Sequence, residues 1–412
     1  MKRVDQIAIL LSVTLLLTIK LRAQDTTRVN PAITVQVNPQ TEQYLLDSLN
    51  KSPFYYALKK RYYKDEADTS HKDKIGFAIR PSLNIGVGYR VRRYKNKEPF
   101  AYEQSLIAYY GINRNSFAIE YQGLWNQVIG KWNIALTGRL DIPNSVYFFG
   151  VGNETQKRDD VRNKYYRLYS TEFYSAVGIN RLFNHKHFIE FSPFYQNVKI
   201  HPDENQYIHD YMDNLSPKDL EIKHFMGGTV TYAYAKMDNA ISPSRGFVFN
   251  AAASYVKNVK STDVNDDGRD FTRYTSSAAV YLPLSRVITL ALRAGGATIQ
   301  GDPEFYQLNR LGGNENLRGF RRQRFYGTHT VYNNNELRFL WPTQNRVFDG
   351  KVGFLAFVDD GRVWQPGEKS NTWHAGYGGG PVIQFFNSLL VNGTIGFSKE
   401  DLVFHVRMGF LF

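Results

Sequence analysis

The sequence predicts an all-β fold, a transmembrane antiparallel β-barrel of sixteen strands. Three observations lead there. Aromatic residues make up 15% of the chain, with 28 Tyr and 28 Phe, yet the mean hydropathy is only −0.42. Beyond the N-terminus no apolar run reaches the ~18 residues a spanning helix needs. From Ile75 onward apolar and polar residues alternate with a period of two, as they do in strands with lipid on one face and water on the other.

The chain opens with Lys2 and Arg3, then an apolar stretch from Ile7 to Ile19. That stretch is too short to span a bilayer and suits the core of a secretory signal, with cleavage after Ala23. Leu21, Lys20 and Arg22 depart from the tidiest form of such a site. Residues 1–23 are thus read as a cleaved signal peptide, which sends the mature protein out of the cytoplasm. There is no cysteine, which excludes disulfides, thiolate metal sites and a lipid-anchored start. Residues 24–74 are polar and carry Pro31, Pro39 and Pro53. They are thin for a core of their own and are read as a short periplasmic segment.

The barrel is assigned to residues 75–412. In "SFAIEYQGLWN", Phe117, Ile119, Tyr121 and Trp125 share a face. In "GKWNIALTGRLD", Trp132, Ile134, Leu136 and Leu140 oppose Asn133, Thr137, Arg139 and Asp141. "RVITLALRAGG" sets Ile288, Leu290, Leu292 and Ala294 against Thr289 and Arg293. The closing "DLVFHVRMGFLF" places Leu402, Phe404, Val406, Met408, Phe410 and Phe412 on one side and His405 and Arg407 on the other. On this reading Phe404, Phe410 and Phe412 form a C-terminal barrel signal on the lipid face. Arg139, Arg293 and Arg407 sit mid-strand and need water or a partner on their side.

Alternation alone does not separate a barrel from a soluble sandwich. Segment lengths of ~10–14 residues suit a tilted membrane crossing, whereas ordinary strands average ~5–6. The alternating segments number about fifteen, and single-chain bacterial barrels are even-numbered, so one strand is missing from the first part of the count. Short connections such as "LPLSR" and "FNS" alternate with long ones at 142–162, 201–221, 258–271, 299–328 and 362–372. Periplasmic turns are short and outside loops long, which puts both termini in the periplasm.

The longest connection contains "LGGNENLRGFRRQRFYG". It is followed by the strands "NNELRFLWP" and "FLAFVDDGRVWQ", with "YFFGVGNET" and "DNAISPSRGFVFNAAASY" upstream and Phe412 at the end. Together these resemble the C-terminal barrel of the BamA/TamA-type outer-membrane proteins, which carry the bacterial surface antigen domain. The resemblance implies that the loop folds back into the lumen and that its motif arginine meets acidic wall residues. By motif, the arginine is Arg318, flanked by Gly319 and Phe320, and the acids are Glu336 and Asp359. Gly312, Gly313, Arg321, Arg322 and Arg324 belong to the same plug. Parity agrees: with Asp359 inward, Val352, Phe354, Ala356 and Val358 face lipid, and with Glu336 inward, Leu337, Phe339 and Trp341 do.

The resemblance also implies a location, the bacterial outer membrane, and a function, assistance in the insertion or export of proteins or lipids. Members usually carry periplasmic POTRA repeats, and residues 24–74 are too short to hold one. The alternative is therefore a passive channel or a structural barrel subunit of an envelope complex. Outer-membrane lipid and the outer-membrane assembly machinery, or other envelope proteins, are the candidate partners. The formal charge of +13 fits a lumenal or solvated excess of Lys and Arg, or contact with anionic head groups. Nucleic acid is set aside because the basic residues are scattered and no recognition motif is present.

Other signals are weak. "DVNDDG" matches the start of a calcium loop through Asp263, Asn265 and Asp267, but position twelve is Tyr274 and the flanks read as strands. A polar loop is the plainer reading, so no metal is assigned. "GYGGGP" lacks the helix and lysine of a phosphate cradle and is read as glycines that let a strand bend or pack against the plug. There is no nucleophile elbow and no metal spacing among the nine His, so neither an enzyme nor a cofactor is expected.

Overall fold

The computed structural model describes residues 72–80, 84–94, 100–111, 115–215, 217–260, 269–344, 349–385 and 389–412. The signal peptide and nearly all of the N-terminal segment lie outside these residues. So do Asp263, Asn265 and Asp267, and the described residues contain no group of three side chains able to hold a metal.

The first eleven strands run β1 (Lys72–Arg80), β2 (Asn84–Tyr94), β3 (Phe100–Gly111), β4 (Ser116–Ile129), β5 (Trp132–Tyr147), β6 (Arg167–Phe183), β7 (His187–His201), β8 (Lys223–Met237), β9 (Gly246–Lys260), β10 (Phe271–Pro283) and β11 (Ile288–Gly301). A short pair, β12 (Asn309–Leu311) and β13 (Phe325–Gly327), stands apart from the main sheet. The chain then returns as β14 (His329–Gln344), β15 (Asp349–Trp364), β16 (His374–Phe385), β17 (Leu389–Phe397) and β18 (Leu402–Met408). All but β12 and β13 form one sixteen-stranded sheet in chain order, each strand antiparallel to the next, with β11 pairing directly with β14. The strand missing from the sequence reading lies at the start. There the alternating run that begins near Ile75 holds two strands, β1 and β2, paired from Lys72↔Arg92 to Arg80↔Asn84. Alternation continues past Pro81 in the sequence, so periodicity alone did not mark the break.

Burial settles the ambiguity between sandwich and barrel. The protected face is polar: Glu103, Asn133, Asp141, Asn250, Thr289, Asn334, Glu336, Asp359, Asn392 and His405 are all buried. The outward face is apolar, with Phe191 52% exposed, Val230 48%, Phe354 44% and Phe404 64%. A water-soluble sandwich reverses this arrangement. Polar inside and apolar outside is the pattern of a membrane barrel.

Connections divide the two ends. At one end Phe183 passes to His187 and Pro283 to Ile288 in tight turns. At the other, long loops join β5 to β6, β7 to β8 and β15 to β16. Beneath these loops an aromatic cap fills the interior, with Phe148, Phe271, Phe305, Tyr306 and Tyr326 in one buried cluster.

The closing segment differs from the sequence reading. β18 stops at Met408, and Gly409, at φ +84°, turns the chain off the sheet into a region open to glycine. Leu402, Phe404 and Val406 remain outside at 57%, 64% and 61% exposure, but Phe410 and Phe412 are buried at 9% and 6%. Phe410 packs with Leu355, Phe357, Val382 and Leu390. Leu411 and Phe412 reach across the interior to Phe188 of β7, Ala233 of β8 and Tyr281 of β10, near the short-turn end. Phe410 and Phe412 therefore do not face lipid. The cause is chemical as well as conformational. The guanidiniums of Arg293 and Arg338 lie 5.1 and 5.2 Å from the Phe412 ring centroid, and Arg338 Nη2 donates to the Phe412 carbonyl at 2.9 Å. An aromatic ring over desolvated cations is held more firmly there than among acyl chains. That the tail after β18 touches β7 to β10 from within also shows that the sheet curls round.

Candidate functional site: an arginine-anchored plug

The segment between β11 and β14 fills the lumen. Its start is a turn, Phe305–Gln307, closed by a capping box in which Glu304 and Gln307 satisfy each other's backbone N–H groups. β12 and β13 then pair, and Leu311, Leu317, Phe320 and Phe325 form a small core with Val363 of β15.

Arg318 is 4% exposed and lies between two wall carboxylates that are buried almost completely, Glu336 at 1% and Asp359 at 0%. Its Nε and Nη2 donate to the two oxygens of Asp359, each at 2.7 Å, and its backbone N–H donates to Asp359 Oδ2 at 3.0 Å. Nη1 donates to Glu336 Oε1 at 2.5 Å. The far oxygen of Glu336 accepts from Arg338 Nε at 2.8 Å. The guanidinium of Arg318 also lies 3.7 Å from the centroid of the Phe357 ring. Two arginines and two carboxylates thus neutralise one another in a dry setting, with the forks used bidentately. That is the geometry in which a buried ion pair offsets its desolvation.

Glycines permit the contact. Gly319 has φ +93°, and a Cβ on Gly376 of β16 would lie 1.8 Å from the Arg318 carbonyl oxygen. The plug backbone therefore rests directly on the wall where "GYGGGP" begins. Gly376→Ala is expected to push residues 317–320 off β16 without disturbing the sheet. Hydrogen exchange should rise at the amides of Arg318 and Gly319 and stay unchanged in β5 to β9; unaltered exchange at those two amides would contradict this close approach.

The other plug arginines divide. Arg324 is fully buried, with Nε 2.7 Å from Glu400 Oε2 and Nη1 2.8 Å from Thr155 Oγ1. Arg321 pairs with Asp401 at 2.8 Å, an acid that also takes Lys157 at 2.9 Å. Arg322 points to solvent and pairs only with Glu315 of the plug itself. Gly312 and Gly313, at φ +128° and +78°, sit where the plug folds back on Arg321, Arg322 and Arg324.

Several residues of the site were not singled out in the sequence. Arg338 carried a readable signal, since it stands two positions from Glu336 on the same face. Asn153, fully buried, did not. Its backbone N–H donates to Glu368 at 2.8 Å, its side chain donates to the Thr372 carbonyl at 3.0 Å, and its Oδ1 accepts from the Val363 N–H at 3.1 Å. This network ties the loop after β5 over the plug, where Gly152 bridges Tyr326.

Comparison with known proteins gives the family and the fold. The model of the Omp85 superfamily domain matches residues 132–385. Among curated proteins, the outer membrane transporter CdiB of Dickeya dadantii (strain 3937) is 31% identical over 114 residues, which span 27% of this chain and 19% of that protein. Among solved structures, BamA from Haemophilus ducreyi lacking POTRA domains 1-3 superposes with a TM-score of 0.58 at 11% identity, covering 89% of this chain and 81% of that one. CdiB from Escherichia coli gives 0.52 at 13% identity, covering 82% and 62%. At these identities the structures show a shared fold.

Proposed function

The chain belongs to the Omp85 superfamily, and from that premise we propose that it assists the insertion or export of proteins or lipids at the bacterial outer membrane, with residues 302–328 as a lumen plug tethered through Arg318. Members of the superfamily are integral outer-membrane barrels that transport or insert rather than catalyse. The observation that carries the finer reading is the buried set of Arg318, Glu336, Asp359 and Arg338, which joins the plug to the wall and, through Arg338, to the C-terminal tail. A barrel serving only as a passive pore has no use for a lumen filled from the long-loop end by a tethered plug and near the short-turn end by its own tail. In this reading the short turns and both termini face the periplasm, and the edge strands β1 and β18 form the seam at which cargo would be handled.

Depletion tests the reading. Outer-membrane proteins or lipids are expected to assemble poorly when the protein is withdrawn, and the tagged barrel, solubilised gently, should recover assembly-machinery subunits or unfolded precursors. Normal assembly together with steady ion conductance in planar bilayers would instead support the passive channel.

A further inference from the structure

Outside the tether, Arg273 and Arg310 are two lumenal cations on one turn with no ion-pair partner among the described residues. Among the plug arginines, Arg318, Arg321, Arg322 and Arg324 each meet a carboxylate. Arg310 on β12 does not. Its Nη2 donates to the Tyr306 carbonyl at 2.5 Å, and its guanidinium stands 5.6 Å from the Tyr326 ring. Arg273 on β10 behaves alike: its Nη2 donates to the Gln307 carbonyl and its guanidinium stands 5.4 Å from the Phe271 ring. Neither residue is in an ion pair among the described residues, and Nε of Arg273 is buried with no acceptor.

The two carbonyls are consecutive in the chain, so the two guanidiniums converge on one turn. Their surroundings are apolar, because Phe271, Tyr306, Leu308 and Tyr326 all belong to the buried aromatic cap. Like charges brought together away from bulk water repel strongly, and a charge withdrawn from water is costly unless it is paired. Glu304 is the acid nearest in sequence on this turn, and it is already engaged by Arg269 at 3.1 Å and Lys223 at 3.7 Å. Both Arg273 and Arg310 are half-buried.

We propose that Arg273 and Arg310 form a lumenal site for a phosphate-type oxyanion, bridged by the two guanidinium forks against the Phe305–Gln307 turn. Planar forks match the oxygens of such an anion bidentately. Its charge would offset the pair and give the orphaned Nε an acceptor. The site would lock the first part of the plug to β10, independently of the Arg318 tether and of the proposed cargo role.

The test uses the full-length barrel in detergent micelles and radiolabelled inorganic phosphate in equilibrium dialysis. Saturable binding is expected in the unaltered protein. Arg273→Gln and Arg310→Gln should each weaken it by about tenfold or more, the loss of a charge-assisted hydrogen bond. Arg158→Gln, at an exposed pair with Asp160, should leave it unchanged. Arg273→Lys keeps the charge without the fork and should bind between these limits, and heat-modifiable migration on gels confirms that each variant is folded. If a tightly held lipid phosphate occupies the site, added phosphate will not bind, but solvent extraction will release lipid phosphorus from the unaltered protein and less from Arg273→Gln; that result also supports the site. No phosphate binding with no difference in extracted phosphorus, or binding equal in all variants, would overturn it.

Discussion

Arg318→Ala is expected to release residues 302–328 from the wall while leaving the sixteen strands paired. The substitution removes four contacts at once: three charge-assisted side-chain hydrogen bonds, two to Asp359 and one to Glu336, and the face of the Phe357 ring. It also strands Asp359 in a buried site with no cation, and leaves Glu336 only Arg338. Removing one partner of a buried pair costs ~3–5 kcal/mol, far more than the ~0–1 kcal/mol of an exposed bridge. The plug has no strand pairing to the wall to compensate, since β12 and β13 pair only with each other. Limited trypsin digestion reads the outcome. Arg322 is open in the intact protein, so the diagnostic cuts are at Arg321 and Arg324, of which Arg324 is fully buried. Cleavage there in the variant and not in the unaltered chain is the expected result; equal protection would place the anchoring in the Arg324–Glu400 clamp and the aromatic cap. A freed plug should also conduct, and a lumen lined by Arg293 and Arg407 without carboxylates of their own should favour anions. Arg318→Lys should resemble the alanine variant more than the parent, because an ammonium cannot span both oxygens of Asp359 while reaching Glu336.

The parts of this arrangement that were legible in the sequence are those governed by a period of two. The resemblance names Glu336 and Asp359, and parity agrees in turning them inward, because Leu337, Phe339 and Trp341 after the first and Val352, Phe354, Ala356 and Val358 before the second fall on the opposite face. The same rule gave the barrel class, once polar residues such as Asn250 and Thr289 were found on the protected face. What period two cannot supply is contact between distant segments. Arg324 meets Thr155 across 169 positions and Glu400 across 76, and nothing local in "GNET" or "SKED" announces those partners. Nor does alternation register a break when the residues on both sides keep the beat. The passage from β1 to β2 and Gly409 after β18 both fall where the pattern runs on in the written sequence.

The second case bears on function, and it can be decided by fluorescence. In the unaltered pattern Phe404 and Phe412 share a face, yet the structure puts the first on the outer surface and the second against Tyr281, Arg293 and Arg338. A tryptophan placed at position 404 should therefore be quenched by brominated acyl chains, and one at position 412 should not. Equal quenching would return the tail to the wall and restore the alternating reading. Deleting residues 410–412 measures what the inward turn contributes. Three apolar side chains leave two buried clusters, each side chain worth ~1.5–3 kcal/mol, and Arg338 loses its acceptor at the Phe412 main-chain oxygen. The barrel should then unfold at clearly lower urea, and the loss should exceed that from Phe404→Ala, whose side chain exchanges protein for lipid with little change of medium. Because Arg338 also holds Glu336, the deletion should loosen the Arg318 tether, so that trypsin gains access to Arg321 and Arg324 without any change in the plug itself. Protection retained there would mean that Glu336 keeps its place without the tail, and that the two ends of the lumen are closed by independent devices.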